Sequence, residues 1–308
     1  MNTIILENVT KTFSSKIAVN KLSLEIPEGS VYGFIGPNGS GKTTTLRMIL
    51  SIIYPDSGNI TVFGQRHHQT QSSRIGYLPE ERGLYKRMKV RELIRFFGHL
   101  KGGGDLESRI DEWLERFELT KWANKKIDAL SKGMSQKVQF IATVITEPEL
   151  LILDEPFSGL DPVNTEVMRE AVLDMRKRGS TIVFSTHDMG TAERMCDRIF
   201  MIHQGEKVLN GTLQSIQDQY GADTLRVRLQ GNSEGLSSLP GIEKVTDFGK
   251  EQELKMKPSS NPQEILKQLI ATCTVERFEI VKPSLHDIFV RIARPDSNTT
   301  SSEIKAAS

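Results

Sequence analysis

Residues 36–43 read Gly36-Pro37-Asn38-Gly39-Ser40-Gly41-Lys42-Thr43, and this stretch decides the fold. It fits G-x-x-x-x-G-K-[S/T], the loop that wraps the phosphates of a bound nucleotide. Before it, Val31, Phe34 and Ile35 form a short apolar run of the kind seen in buried strands. After it, Leu46, Ile49, Leu50 and Ile53 recur at helical spacing. Strand, glycine loop and helix are the context in which such a loop works. Backbone N–H groups must approach phosphate oxygens closely, and Gly36, Gly39 and Gly41 keep side chains out of the way. The helix that follows adds unpaired amides and a partial positive charge. Lys42 is a cation for the β- and γ-phosphates, Thr43 a hydroxyl ligand for Mg²⁺, and Thr44 a further hydroxyl. The plain alternative is a glycine-rich turn capping an ordinary helix, and the flanking pattern weighs against it.

Working outward, residues 150–153 and 181–184 are continuous apolar runs, as in parallel strands covered on both faces. A helix over about 164–178 joins them into a βαβ unit. Asp154 and Glu155 follow the first run, at the strand end that faces a ligand crevice. Asp154 suits Mg²⁺, and Glu155 suits polarising the water that attacks a γ-phosphate. An acidic turn is the bland reading, and the phosphate loop tips the balance against it. His187 follows the second run.

The opening is strand-rich, with strands expected at 4–9, 21–26 and 60–63. From Val90 the period becomes helical: Val90, Leu93, Ile94 and Phe97, then Leu106, Ile110, Trp113, Leu114 and Phe117. Gly102-Gly103-Gly104 separates the two helices, and a third stripe runs through Met134, Val138, Ile141, Ala142 and Ile145. Near residues 218–223 the character changes. Strands at 225–229, 242–248, 253–256 and 275–281, with helices at 262–271 and 285–292, predict a small α+β domain. The serine- and threonine-rich end is expected to be disordered.

Composition narrows the class. With 308 residues, 37% apolar and 26% charged, one large or two modest globular domains are expected. No apolar run reaches the roughly 18 residues that a spanning helix needs. Met1-Asn2-Thr3-Ile4 lacks a basic region and cleavage site, so no signal peptide is expected. Cys196 and Cys273 have no zinc spacing and read as small packing residues in a reducing compartment. A net charge of +1 gives no field for nucleic acid, and the basic cluster at 121–126 reads as a solvated helix end.

Leu130-Ser131-Lys132-Gly133-Met134 alone is a serine cap at a helix start. In its order, after the helical insertion and shortly before Asp154-Glu155, it makes residues 3–220 resemble the ATP-binding cassette (ABC) family. The resemblance implies an α/β P-loop NTPase cassette with a parallel-sheet core, an antiparallel β layer and a helical subdomain. Its boundaries are 1–220 for the cassette, about 86–148 for the helical subdomain, 222–294 for the C-terminal α+β domain and 295–308 for the tail. It implies ATP and Mg²⁺ as cofactors, and two cassettes that sandwich two ATP molecules head to tail.

In that arrangement Ser131 and Gly133, within the Ser131-Lys132-Gly133-Met134 signature, contact the γ-phosphate held by the partner. Ser158-Gly159-Leu160-Asp161 looks like the loop that crosses the dimer interface. Phe13 lies where the family stacks a ring on adenine, and His187 where it contacts the γ-phosphate. Glu80 replaces the usual glutamine that links Mg²⁺ to the membrane subunit. Lys132 and Met134 also depart from the usual Leu-Ser-Gly-Gly-Gln. These departures, with Gly76-Tyr77-Leu78-Pro79-Glu80-Glu81, resemble the bacterial export branch, and within it ATPase subunits of the sodium-efflux (NatA-like) type. The expected partners are membrane permease subunits and a second cassette, with no nucleic acid. The expected place is the cytoplasmic face of the cell membrane. Residues 80–91 would grip the membrane partner, with Val90, Leu93 and Phe97 as the nearest helical stripe, although the default role of that stripe is core packing. A soluble ABC ATPase of DNA repair or translation is the other reading. A module that binds ATP without turnover is a third, opposed by Lys42, Asp154, Glu155 and His187.

Overall fold

The computed structural model describes residues 1–66, 72–81, 83–221, 223–230 and 235–293. The expected tail at 295–308 lies outside the described residues. The chain divides into two compact units, Met1–Thr212 and Leu213–Ser308.

The first unit opens with β1 (Asn2–Phe13) and β2 (Lys16–Pro27), an antiparallel hairpin with Phe13 opposite Lys16. β1 is longer than its alternation predicts. Asn8 takes a φ of 50°, and the register shifts between Leu6 and Val9, so the period of two is lost midway. Next come β3 (Val31–Ile35), α1 (Lys42–Ile49), β4 (Ser57–Val62), β5 (Gln65–Arg66) and β6 (Ile75–Leu78). The helical insertion holds α2 (Val90–Leu100), α3 (Glu107–Arg116) and α4 (Lys132–Val144). β7 (Leu150–Asp154), α5 (Pro162–Lys177), β8 (Thr181–Thr186), α6 (Met189–Met195), β9 (Arg198–His203) and β10 (Glu206–Gly211) complete it.

These strands make two sheets. One is four-stranded and antiparallel, ordered β2-β1-β4-β5. The other is six-stranded, ordered β10-β9-β3-β8-β7-β6, and parallel from β9 to β6. Every residue of β3, β7 and β8 is buried, because the parallel sheet is covered on both faces. On one face Tyr32, Phe34 and Phe200 pack with Ile4, Leu22 and Leu46 of the β layer and α1. On the other, Leu153 and Phe184 pack with Val90, Leu93, Trp113 and Phe140 of the insertion. Trp113 and Phe140 meet edge to face at 6.0 Å. Val90 and Leu93 are therefore core, and the outward aromatic surface of α2 belongs to Phe96, which contacts Tyr85 edge-on at 5.7 Å.

β6 was not legible as a strand. It is four residues long and interrupted by Gly76, whose added Cβ would stand 2.9 Å from the Thr143 carbonyl oxygen. That close approach of α4 to the sheet edge is the reason for glycine there.

The second unit holds α7 (Leu213–Tyr220), β11 (Thr224–Gln230), β12 (Ile242–Asp247), β13 (Gln252–Met256), α8 (Pro262–Thr272), β14 (Thr274–Val281) and α9 (Leu285–Ala293). Its antiparallel sheet is ordered β12-β13-β11-β14. Leu225, Val227 and Leu254 share a core with Ile265 and Leu269 of α8. Arg226 and Glu253 pair at 2.8 Å on the sheet. Arg291 of α9 binds both carboxylate oxygens of Asp223, each at 3.0 Å. Among the described residues no helix is long and apolar enough to cross a membrane.

Candidate functional site

The site forms where the parallel strands end. Gly36 follows β3 with a φ of 153°, and a Cβ there would stand 2.2 Å from the Ile202 carbonyl oxygen. Gly41 caps α1 with a φ of 114°, and its Cβ would stand 2.5 Å from the Ala18 carbonyl oxygen. The loop is thus pressed against β9 and β2, and only glycine fits at its two ends. No side chain caps α1, so its first amides face the cleft without a protein partner of that kind. Gly36→Ala is expected to weaken ATP binding at least tenfold, about 1.4 kcal/mol, by displacing the loop. Titration calorimetry checks this.

Lys42 is 5% exposed. Its Nζ donates to the carbonyls of Gly36 at 2.7 Å and Pro37 at 3.2 Å, and lies 3.7 Å from Glu155 Oε1. Burial pulls its pKa below the ordinary lysine value, against the opposing pull of Glu155, Asp154 and Glu80. Thr43 Oγ1 donates to Asp154 Oδ1 at 3.1 Å. Asp154 is 1% exposed, and its other oxygen, Oδ2, has no hydrogen-bond partner. Ser40 Oγ and Glu155 Oε1 are likewise buried without one. Orphaned buried oxygens are costly. The Asp154 carboxylate beside Thr43 and the Glu155 carboxylate beside Lys42 mark a place built for a polar ligand.

Glu155 sits just past β7 with a φ of 51°. A non-glycine residue there stores about 1–2 kcal/mol of strain. Ser185 of the adjacent β8 holds the turn. Its Oγ accepts the Glu155 N–H at 3.0 Å and donates to Asp154 Oδ1. His187 Nδ1 lies 3.0 Å from Glu155 Oε2. Ser185 has no role in the sequence reading; the available signal is the pair of hydroxyls, Ser185 and Thr186, that ends β8.

A cleft of about 480 Å³ opens over Lys42, Thr43 and Glu155, and Ser40, Asp154 and His187 are not among its lining residues. Phe13, Asn38, Gly39, Thr44, Glu80 and Glu155 line it together with Lys42 and Thr43. Phe13 is 48% exposed, so its ring is a surface and not a core filler, and Lys11 Nζ lies 5.5 Å from the ring centroid. Glu80 follows β6 as Glu155 follows β7, which is how the unread strand brings it into the same cleft. Lys16, opposite Phe13 in the hairpin, also lines the cleft and was missed from sequence.

Ser131–Met134 and Ser158–Asp161 are not among the lining residues. They meet each other instead. Ser131 caps α4 and accepts the Met134 N–H at 3.2 Å. Leu160 Cδ2 lies 3.7 Å from where a Cβ on Gly133 would stand, and Lys132 Nζ is 3.6 Å from that point on Gly159. Asp161 caps α5 through the Asn164 N–H at 3.0 Å, which holds its carboxyl below the usual carboxylate range. The two motifs form one surface patch beside the cleft, and the Ser158 N–H donates to the Glu155 carbonyl oxygen at 3.2 Å.

A phosphate loop, two acidic residues at strand ends and a helical insertion carrying a serine-capped helix define a nucleotide-hydrolysing cassette. The chain belongs to the ATP-binding proteins of ABC transporters and is an ATPase of that family. Residues 19–158 match the family model described as ABC transporter, and residues 211–293 match the C-terminal domain of DrrA1-3-like ATP-binding proteins. The chain is 42% identical, over 92% of its length and 96% of the relative, to the uncharacterized ABC transporter ATP-binding protein YhaQ of Bacillus subtilis. It is 37% identical to ABC transporter ATP-binding protein NatA of the same organism, over 68% of this chain and 87% of that one. It is 34% identical to Nod factor export ATP-binding protein I of Sinorhizobium fredii, over 93% of this chain and 84% of that one. Among solved structures, it superposes with a TM-score of 0.63 and 26% identity on an ATP-binding cassette dimer in a post-hydrolysis state with ADP and Pi. That match covers 68% of this chain and 98% of the other.

Proposed function

We propose that this chain powers an exporter, hydrolysing ATP in a site shared between two cassettes and working on separate membrane permease subunits. The observation that carries the reading is the cleft lined by Lys42, Thr43, Glu80 and Glu155, with the buried Asp154 carboxylate bonded to Thr43 behind it. Lys42 and the α1 amides bind the β- and γ-phosphates. Glu155 accepts the proton of the attacking water, and His187, hydrogen-bonded to it, orients that carboxylate toward the γ-phosphate. Phe13 offers a face for adenine. Thr43, Asp154 and Glu80 are the residues that would hold Mg²⁺, and their hard oxygens fit it. Bound there, the ion would neutralise charge developing on the transferred phosphoryl group.

The patch of Ser131, Gly133 and the Ser158–Asp161 loop serves the partner's cleft, so that hydrolysis is coupled to closing and opening of the pair. Its residues are exposed or half-buried and line no part of the chain's own cleft, which supports this reading. Export is supported by the Nod factor export relative, and docking from the cytoplasm at the membrane surface follows from it. Sodium is a cargo suggested by the NatA-like resemblance alone. The relative named for Nod factor export is 34% identical over 93% of this chain, so resemblance to the cassette does not by itself fix the cargo.

Pull-down of the tagged chain from detergent-solubilised native membranes tests the exporter reading. A multi-span partner is the expected result. Ribosomal or repair proteins without one would move the chain to a soluble machine. Glu80→Gln is expected to keep ATPase activity within about tenfold, because either side chain presents an oxygen to the ion. Complete loss in a purified assay would contradict that role.

A further inference from the structure

We propose that β14 of the second unit is a pairing edge for a second copy of this chain, joining two four-stranded sheets across a two-fold axis at Phe278. β14 is the last strand of its sheet, and among the described residues nothing pairs with its outer side. An exposed edge of this length is a template for another strand. Beside it lies a hollow of about 520 Å³ whose lining mixes Leu266, Ile270, Val275 and Phe278 with Glu276 and Arg277. Ile270 is 62% exposed and Ile280 is 47% exposed, so apolar surface gathers on this side of the unit.

The strand's sequence is self-complementary in one register. In a two-fold antiparallel pair, facing residues share a face of the sheet, and one residue meets itself on the axis. An axis at Arg277 sets arginine against arginine. An axis at Glu276 or Glu279 sets glutamate against glutamate. An axis near either end pairs only a short piece of the strand. With Phe278 on the axis, phenylalanine meets phenylalanine, and Arg277 faces Glu279 of the second copy on both sides. The pairing is thereby fixed over Arg277, Phe278 and Glu279. Arg277 and Glu279 already share the charged face of the sheet, where Arg277 contacts Glu279 and, at 3.2 Å, Glu251. Phe278 and Ile280 share the opposite face, opposite Val227 and Leu225 of β11. Pairing therefore extends both the charged network and the apolar face. The register shift against β11 at Arg228/Leu229 places a bulge at Glu276, so the regular ladder is centred on Arg277, Phe278 and Glu279.

This contact needs no nucleotide, so its test is independent of the ATP site. The nucleotide-free full-length chain is expected to sediment as a dimer at micromolar concentration. Arg277→Glu and Glu279→Arg, each alone, set like charges across the axis and are expected to weaken the dimer at least about tenfold. Mixed in equal amounts, the two variants present opposite charges to each other and are expected to dimerise as the wild type does. A monomeric wild type, or variants that stay apart when mixed, would overturn the proposal. Hydrogen exchange on the wild type gives a reading without substitutions. Amides of 274–281 should become slower to exchange as protein concentration rises, and concentration-independent exchange there would also overturn it.

Discussion

Glu155→Gln is expected to bind ATP with near-normal affinity and to lose roughly 10²–10⁴ of its turnover rate, the range for removing a general base. The amide keeps the volume of the carboxylate, and Ser185 still holds the turn through the backbone N–H of residue 155. What disappears is the proton acceptor. Glu155 Oε1 is buried beside Lys42 without a hydrogen bond, and Oε2 is held by His187. One oxygen is thus oriented by His187, and the other faces the Lys42 ammonium at 3.7 Å without a hydrogen bond. A steady-state phosphate-release assay reads the rate, and calorimetry reads the affinity. Turnover near the wild-type rate would show that Glu155 is not the base.

Lys42→Ala is expected to abolish measurable ATP binding. Lys42 supplies the buried cation of the cleft, and it spans the Gly36 and Pro37 carbonyls and the Glu155 carboxylate. Truncating one member of a buried charged set costs about 2–5 kcal/mol, or tens to thousands in affinity. The same cut leaves Glu155 without its cation, so the empty protein should also melt lower. The two effects separate in a melting experiment. The wild type should gain melting temperature on adding ATP, and the variant should gain none. An undiminished gain would undo the assignment of the phosphate loop.

Much of this site could be read from sequence because each part has a local cause. The phosphate loop announces itself through glycines that the structure explains by two close approaches, to Ile202 and Ala18. Asp154 and Glu155 stand out because a fully apolar strand ends in them. The long buried strands and the amphipathic helices of the insertion were legible for the same reason: burial on one or both faces leaves a period. What was not legible depends on contacts distant in sequence. β6 is short and glycine-broken, and only its pairing with β7 makes it a strand. Glu80 could be placed by family resemblance, whereas its convergence with Lys42 needs that pairing. Ser185 is one of three hydroxyl residues in β8, and its role between Asp154 and Glu155 depends on β7 and β8 lying side by side. The helix α6 is only seven residues long, too short to show a stripe. The second half of β1 was hidden by an irregular register.

The central claim is that ATP is held between the phosphate loop of one copy and the Ser131 patch of another. Release of labelled ATP from Glu155→Gln, with and without a second change of Ser131→Glu, tests it most directly. The shared site predicts that Glu155→Gln alone retains ATP and Mg²⁺ through gel filtration. It also predicts that a carboxylate at position 131 repels the γ-phosphate and restores rapid release. Equal retention by both proteins would contradict a γ-phosphate contact at Ser131 and leave the cleft as a site that works alone.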